Sequence, residues 1–197
     1  MKITKIGHCC LLLEDGGRKI MTDPGSYTID AQEKITDISV ILITHEHQDH
    51  FHIDSVKKLL ETNPGVTIVT NAAVGKILES ENIAYTKVGD GEKSEVATCI
   101  IEGFGKDHAP IYSDMGKVEN TGYLVNNRFY FPGDNFHNPG KKVDILALPV
   151  AAPWLKISET IDFAKEIKAR IAFGVHDGMI IPSSRPFVGM LLKNFLP

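Results

Sequence analysis

The stretch 40–50 constrains this chain more than any other part of the sequence. Val40–Ile43 is an unbroken apolar run, which predicts a buried strand. Directly after it come His45, His47, Asp49 and His50, and half of the chain's eight histidines lie between positions 45 and 52. In an extended chain the first three of these side chains point to one side, because side chains alternate with a period of two. Imidazole and carboxylate groups bind zinc, iron or manganese, so the stretch predicts a metal site at a strand end; a histidine-rich polar loop is the alternative.

Composition narrows the classes of protein to which the chain can belong. Its 197 residues suffice for one domain, and 43% hydrophobic with 23% charged residues is typical of a soluble globular protein. A net charge of −4 argues against broad electrostatic binding to nucleic acid or to an anionic membrane. A phosphorylated small molecule stays among the candidate substrates, because a metal site supplies positive charge locally.

The compartment is predicted from the termini and the cysteines. The first residues lack the apolar core of a signal peptide, and no apolar run approaches the length of a membrane span. The three cysteines, Cys9, Cys10 and Cys99, include no C-x-x-C spacing, so we expect reduced thiols without a metal role in a cytoplasmic protein. The sequence does not determine the oligomeric state, and a homo-oligomer is one of the alternatives.

Strands and helices alternate along the whole chain. We predict strands at 2–6, 9–13, 18–22, 40–44, 66–70, 84–88, 95–101, 121–125, 128–131, 143–148 and 171–175. We predict helices over about 54–62, 72–80, 157–170 and 186–195, with Asp54 or Ser55 capping the first, and loops over 25–37 and 103–120. Strands 84–88 and 95–101 are expected to pair around Gly89-Asp90-Gly91, and Asn126-Asn127 predicts a tight hairpin turn. Two sheets packed together with helices outside both would bury these faces.

The pattern H-x-H-x-D-H after a buried strand resembles the signature of the metallo-β-lactamase fold superfamily. The resemblance implies an α/β (α+β) fold, a four-layer αββα sandwich of two mixed sheets, with residues 1–197 as one domain. Four further stretches resemble the branch that contains ascorbate-6-phosphate lactonase-like proteins and uncharacterised metal-dependent hydrolases: 7–14, 21–24, 144–150 and 174–179. The chain departs from that branch at Asn135 and at Ala-Ala-Pro-Trp in the 150–156 loop, where the lactonases are glycine-rich.

The resemblance also implies a set of ligands for two divalent metal ions, with zinc favoured and manganese or iron as alternatives. The first ion would take His45, His47 and His108, and the second Asp49, His50 and His176, with Asp134 between the two ions. Asp23 would hold a ligand histidine from outside the metal shell. For His108, Asp134 and His176 the alternatives are a solvated loop histidine, a turn residue and a surface pair with Asp177.

The implied activity is hydrolysis of a small ester, lactone or phosphoester by a hydroxide that bridges the two metal ions. Asp49 would bind metal and orient the hydroxide, while metal-bound water, His8, His137 or His176 would protonate the leaving group. The sequence leaves open an iron-dependent dioxygenase or other redox enzyme of the same fold, a phosphodiesterase acting on nucleic acid, and a metal-binding protein without catalysis. The expected partner is a small-molecule substrate rather than a membrane or a nucleic acid.

Overall fold

Two six-stranded mixed sheets face each other in the computed structural model, which describes residues 1–115 and 117–196. The N-terminal sheet has the order β1-β2-β3-β4-β5-β6 and consists of Lys2–Gly7, Cys10–Asp15, Arg18–Thr22, Val40–Ile43, Thr67–Thr70 and Thr86–Lys87. The C-terminal sheet has the order β12-β11-β10-β9-β8-β7 and consists, from β7 to β12, of Lys93–Val96, Cys99–Phe104, Gly122–Val125, Phe129–Phe131, Ile145–Pro149 and Ile171–Val175.

The apolar run of β4 shows how the layers form. Val40 and Leu42 point into the core between the two sheets, whereas Ile41 and Ile43 point outward beneath helices, and all four are fully buried. A strand that is covered on both faces needs apolar residues at every position, and this explains why the run does not alternate with polar residues. Across the core, the C-terminal sheet contributes buried side chains such as Tyr123 and Phe131.

Helices cover the outer face of each sheet. The helices are α1 (Ile29–Gln32), α2 (Ile53–Thr62), α3 (Ala72–Ser80), α4 (Ile157–Ile167) and α5 (Arg185–Phe195), with a 3₁₀ turn at Pro182–Ser184 before α5. Val56 and Leu59 of α2 pack on the N-terminal sheet, and Phe163 of α4 packs on the C-terminal sheet. The predicted four-layer αββα sandwich is therefore confirmed. The treatment of residues 1–197 as one domain stays a prediction.

The predicted pairing of strands 84–88 and 95–101 is wrong. β6 is the edge strand of the N-terminal sheet, parallel to β5, whereas β7 and β8 belong to the C-terminal sheet. The 95–101 segment is itself split by a tight turn at Ala97 and Thr98, whose φ angles of 47° and 64° lie in the left-handed region. Alanine and threonine give no turn signal in sequence, so this turn could not be predicted. The segment 88–92 crosses from one sheet to the other instead of closing a hairpin.

Two other local predictions differ from the structure in detail. The 25–37 segment contains the one-turn helix α1, and α2 begins after His52, whose imidazole accepts a hydrogen bond from the backbone N–H of Ser55 at 3.3 Å. His52 therefore acts as the cap that the sequence predicts at Asp54 or Ser55. The Asn126-Asn127 hairpin is confirmed, because both residues have positive φ, near 51° and 52°, and join β9 to β10.

Strand direction determines where the functional side chains gather. β1, β3 and β4 run the same way in the N-terminal sheet, and β8, β10, β11 and β12 run the same way in the C-terminal sheet. In open sheets, the loops beyond the carboxyl ends of the strands form the binding crevice. The loops that carry the predicted site residues all begin at these ends.

Among the described residues, no helix has the length and apolar character needed to cross a membrane.

Gly25 allows two of these loops to touch. A Cβ atom at position 25 would lie 1.9 Å from the backbone oxygen of Asp49, and the next residue, Ser26, donates its backbone N–H to Gln48 at 2.8 Å. We predict that Gly25→Ala lowers the free energy of unfolding by about 1–3 kcal/mol or more, because the loops must separate. Urea denaturation measures this change.

Gly189→Ala is the matched control, because a Cβ atom there meets no atom within 4 Å and the residue lies inside α5. Alanine in a helix interior is about 0.5–1 kcal/mol more favourable than glycine, so this variant should be unchanged or more stable. Equal stability of the two variants would contradict the proposed close approach.

Candidate metal centre

The structure brings the predicted ligands together. Ligand atoms of His45, His47 and His108 lie within 4.8 Å of one another, as do those of His8, Asp49, His50 and His176 in a second group. Asp134 lies between the groups: its carboxylate oxygens are 3.2 Å from His50 Nε2, 3.4 Å from His108 Nε2 and 3.0 Å from His176 Nε2. These side chains come from five separate loops, which follow β1, β4, β8, β10 and β12. The assignment of the predicted ligands stays a prediction.

Two of the imidazoles are held in one tautomer by backbone carbonyls. His108 Nδ1 lies 2.5 Å from the carbonyl oxygen of Ala109, and His176 Nδ1 lies 2.5 Å from that of Ala151. A carbonyl oxygen only accepts hydrogen bonds, so each Nδ1 carries the proton and each Nε2 presents a lone pair. Both Nε2 atoms are buried and make no hydrogen bond to a described residue. This is the form in which histidine binds a metal ion.

A buried carboxylate orients the other two enclosed histidines. Asp23 is fully buried; its Oδ2 accepts from His50 Nδ1 at 2.6 Å and from the Thr44 hydroxyl at 2.7 Å, and its Oδ1 accepts from the Thr44 backbone N–H at 2.8 Å. Because the Thr44 proton is donated to Asp23, its oxygen accepts from His45 Nδ1, 3.0 Å away. His45 Nε2 and His50 Nε2 then face the cluster, buried and without a hydrogen bond among the described residues.

The position of Asp134 depends on the glycine before it. Gly133 has a φ of +64°, and a Cβ atom there would lie 2.2 Å from Asn120 Oδ1, the atom that accepts the backbone N–H of Asp134. Burial acts to raise the pKa of Asp134, but His50 and His176 outweigh it and hold the pKa well below the usual range. A buried carboxylate is thus kept ionised at the centre of the imidazoles.

The charge state of the histidines varies across the cluster. Burial lowers the pKa of His45 well below its ordinary value and also lowers that of His47, so both are neutral donors of a lone pair. For His50, burial is outweighed by Asp134 and Asp23, which raise its pKa to about 9. A cation that bound to His50 Nε2 would therefore displace a proton.

His8 supports the cluster in a different way from the other histidines. Its Nδ1 accepts the backbone N–H of Gly178 at 3.1 Å, so the ring proton lies on Nε2, which donates to Asp49 Oδ2 at 3.0 Å. Burial lowers the pKa of His8, which keeps the ring neutral. Burial alone would raise the pKa of Asp49, but the hydrogen bond from His8 together with the nearby His50 and His176 outweighs it and lowers that pKa. His8 therefore orients Asp49 and has no free lone pair to offer a metal ion.

Backbone strain is concentrated at the same place. His8, Asp23 and His176 have φ angles of 47°, 36° and 57°, in the left-handed region that residues other than glycine rarely adopt. Such conformations cost about 1–3 kcal/mol each and persist where surrounding contacts determine them. All three side chains are almost fully buried in the cluster, so packing and hydrogen bonds there impose the strained turns.

Sequence reasoning missed the position of two side chains near the cluster. Trp154 donates its indole N–H to Asp134 Oδ2 at 2.8 Å. Cys9 places its thiol within 4.8 Å of candidate ligand atoms of His50 and Asp134, although burial keeps its pKa well above the ordinary value. The usable signal for Trp154 was its position after the end of an apolar strand, where site residues collect.

The remaining sequence candidates fall outside the cluster. His52 caps α2, and His137 is exposed beside Gly105, so neither approaches the ligand groups. The cluster opens into a cleft of about 280 Å³. A larger cavity of about 900 Å³ lies between α4 and α5, lined mainly by apolar residues and lysines, and contains none of the predicted ligands.

Comparison with known proteins gives matches over most of the chain. The family described as Beta-lactamase superfamily domain matches residues 2–176. Protein Rv0786c of Mycobacterium tuberculosis is 35% identical over 94% of this chain and 88% of its own length, and a UPF0173 protein of Pyrococcus furiosus is 29% identical over 90% and 84%. A putative metal-dependent hydrolase from Parabacteroides distasonis is similar in structure, with a TM-score of 0.78 and 22% identity over 98% of this chain and 87% of that protein.

Asp23 offers a test of the orientation network that does not remove a predicted ligand. In Asp23→Asn, an amide NH₂ group replaces one of the two carboxylate oxygens. Because an NH₂ group donates and does not accept, at least one hydrogen bond from His50 or Thr44 is lost. We expect metal affinity to fall by about 10–100-fold, as is usual for partners of metal-binding histidines. Competition with a chromophoric chelator measures the affinity.

Asp30→Asn is the matched control, because Asp30 is exposed on α1. It should leave metal affinity unchanged. A folded Asp23→Asn protein that binds metal as tightly as the unaltered chain would refute the orienting role of Asp23.

Proposed function

Since this chain belongs to the β-lactamase superfamily, we propose that it is a metal-dependent hydrolase that holds two divalent cations and hydrolyses an ester, lactone or phosphoester bond of a small molecule. In this proposal His45, His47 and His108 bind one cation, Asp49, His50 and His176 bind the other, and Asp134 bridges them. Zinc is the favoured metal because the set consists of imidazole nitrogens and carboxylate oxygens; manganese and iron accept the same donors.

One observation carries this proposal: four imidazole Nε2 atoms and Asp134 Oδ1 are buried, converge, and make no hydrogen bond to a described residue. Leaving buried polar atoms unpaired is costly, and native structures rarely do it without a bound partner. Each imidazole is also fixed from behind through its Nδ1, by Thr44, Asp23, Ala109 or Ala151. A cation pair satisfies all these atoms at once.

The cations would supply an activated water near neutral pH and would polarise the substrate oxygen. The chain's own residues then position the reactants. Asp49 is held by His8 and is partly open to the cleft, so it can orient the attacking water. The tautomer of His176 points its Nε2 lone pair inward, which favours ligation over proton donation by that atom. Trp154 donates to Asp134 from the cleft side and holds the bridging carboxylate in place.

Two activities named from the sequence remain alternatives. An iron-dependent dioxygenase of the same fold would retain iron after purification and consume oxygen with substrate. A phosphodiesterase acting on nucleic acid would bind RNA with strong salt dependence. Metal analysis, oxygen uptake and an RNA-binding titration separate these activities from hydrolysis of a small molecule. The cytoplasmic location and a homo-oligomeric state stay predictions.

The central test removes one proposed ligand of the first cation and, separately, the proposed bridging carboxylate. His47→Ala and Asp134→Ala should each lose bound metal and hydrolysis together, with activity reduced more than about 100-fold. Removing a group that only orients a metal ligand already lowers metal affinity or activity by about 10–100-fold, and removing the ligand itself should lower them further. Elemental analysis of the purified variants and a panel of ester, lactone and phosphoester substrates measure both losses.

His137→Ala is the matched control, since it removes an exposed histidine outside the cluster. It should retain full metal content and activity. Full metal content in both ligand variants would disprove the assignment.

A further inference from the structure

The walls of the cleft are apolar above a polar floor. Beyond the candidate ligands and the uncharged Ser26 and Gln48, the described residues that line it are Tyr27, Ile111, Pro153, Trp154 and Met179. Tyr27 and Met179 are each 52% exposed, although large apolar side chains usually pack inside. Exposed apolar surface gathered around a concave site is typical of ligand binding.

A second cavity extends the apolar wall past Trp154. It measures about 510 Å³ and shares Ile111, Pro153 and Trp154 with the cleft, so the indole stands between the two spaces. Further apolar groups there are Phe136 and Leu155. The ring of Phe136 packs edge-on against Trp154, with the centroids 5.1 Å apart. The two spaces together offer an elongated apolar surface that leads away from the metal centre.

Positive charge near this surface is already paired. Among the described residues that line either cavity the one basic side chain is Lys156, whose Nζ lies 3.7 Å from Glu159 Oε1. Behind the cleft, Lys5 lies 2.7 Å and Arg185 3.6 Å from the carboxylate of Asp177. A phosphate or carboxylate group of the substrate that lies away from the reacting bond would therefore lose its hydration on binding. It would gain no cation as a partner, so its burial there would be unfavourable.

We infer that the substrate is a carboxylic ester or lactone whose acyl part is uncharged and apolar, and that this part lies along Tyr27, Ile111, Trp154 and Met179. The inference rests on the proposed function, because the metal centre must supply the reaction. The chemistry of the wall disfavours any ester, lactone or phosphoester substrate that carries charge away from the reacting bond. The cations would polarise the reacting carbonyl oxygen, and the rest of the substrate would be bound by apolar contacts.

A pair of esters tests the inference with one leaving group. 4-Nitrophenyl hexanoate and the 4-nitrophenyl monoester of adipic acid have the same number of acyl carbons, but the second ends in a carboxylate instead of a methyl group. With the metal-loaded protein, and after division by the uncatalysed rates, we expect kcat/KM for the hexanoate to be at least about tenfold higher. A preference for the adipate ester, or faster hydrolysis of 4-nitrophenyl phosphate than of the hexanoate, would overturn the inference.

A charge placed on the rim should change this preference. Met179→Lys adds a cation beside the cleft, and we expect it to reduce the preference for the hexanoate by about tenfold through attraction of the adipate carboxylate. Met190→Lys is the matched control, because Met190 is similarly exposed, at 47%, but lies on α5 outside the cleft lining. Equal effects of the two variants would show that the acyl part does not lie along this wall.

Binding without hydrolysis separates this inference from the proposed function. Trp154 is the chain's one tryptophan, so its fluorescence reports on the cleft alone. The amides corresponding to the two esters, N-(4-nitrophenyl)hexanamide and its adipic acid counterpart, should quench that fluorescence, the uncharged amide at about tenfold lower concentration. If neither ester is hydrolysed but this preference holds, the proposed function fails and the inference on the ligand class stands. Tighter binding of the charged amide, or quenching by neither, would overturn it.

Discussion

The hydrogen bonds to the buried carboxylate of Asp23 are the interactions on which the candidate metal centre depends. This carboxylate lies at the end of β3, yet it fixes the start of the loop after β4 through the backbone N–H and hydroxyl of Thr44 and through the imidazole of His50. Thr44 in turn holds His45. One carboxylate thus joins two adjacent parallel strands and sets the direction of two candidate ligands. Such a group is stable in the interior because each oxygen accepts hydrogen bonds that offset the cost of burial.

The cluster as a whole follows from strand direction and hydrogen bonding. Parallel strands deliver their loops to one edge of the sandwich, and strained turns at His8, Asp23 and His176 point side chains inward. Backbone carbonyls then select the tautomers of His108 and His176. The result is a group of buried imidazole nitrogens that face one another and Asp134. Because the supports come from both sheets, the geometry of the centre depends on the packing of the whole sandwich.

The cleft divides two tasks between its floor and its walls. The floor gathers ionised Asp49 and Asp134 among the imidazoles, and this is the donor set that would hold the cations of the proposed function. The walls present Tyr27, Trp154 and Met179. Trp154 belongs to both, since its ring lines the wall while its N–H contacts Asp134. This dual position links recognition of the substrate to the orientation of the central carboxylate.

The sequence by itself predicted the buried strand 40–43 and the group of candidate ligands that begins at His45, because an apolar run followed by a dense set of ligand side chains is a local pattern. The fold class came from the resemblance to a family that several stretches along the chain carry. It also predicted the Asn126-Asn127 turn, since asparagine tolerates positive φ. Resemblance to a family, rather than any local pattern, pointed to His108, Asp134 and His176. Only the tertiary structure decided that β6 and β7 lie in different sheets, that His8 donates to Asp49, and that Trp154 reaches Asp134. Sheet membership depends on non-local pairing, and the role of an imidazole or indole nitrogen depends on which atom faces it across the fold.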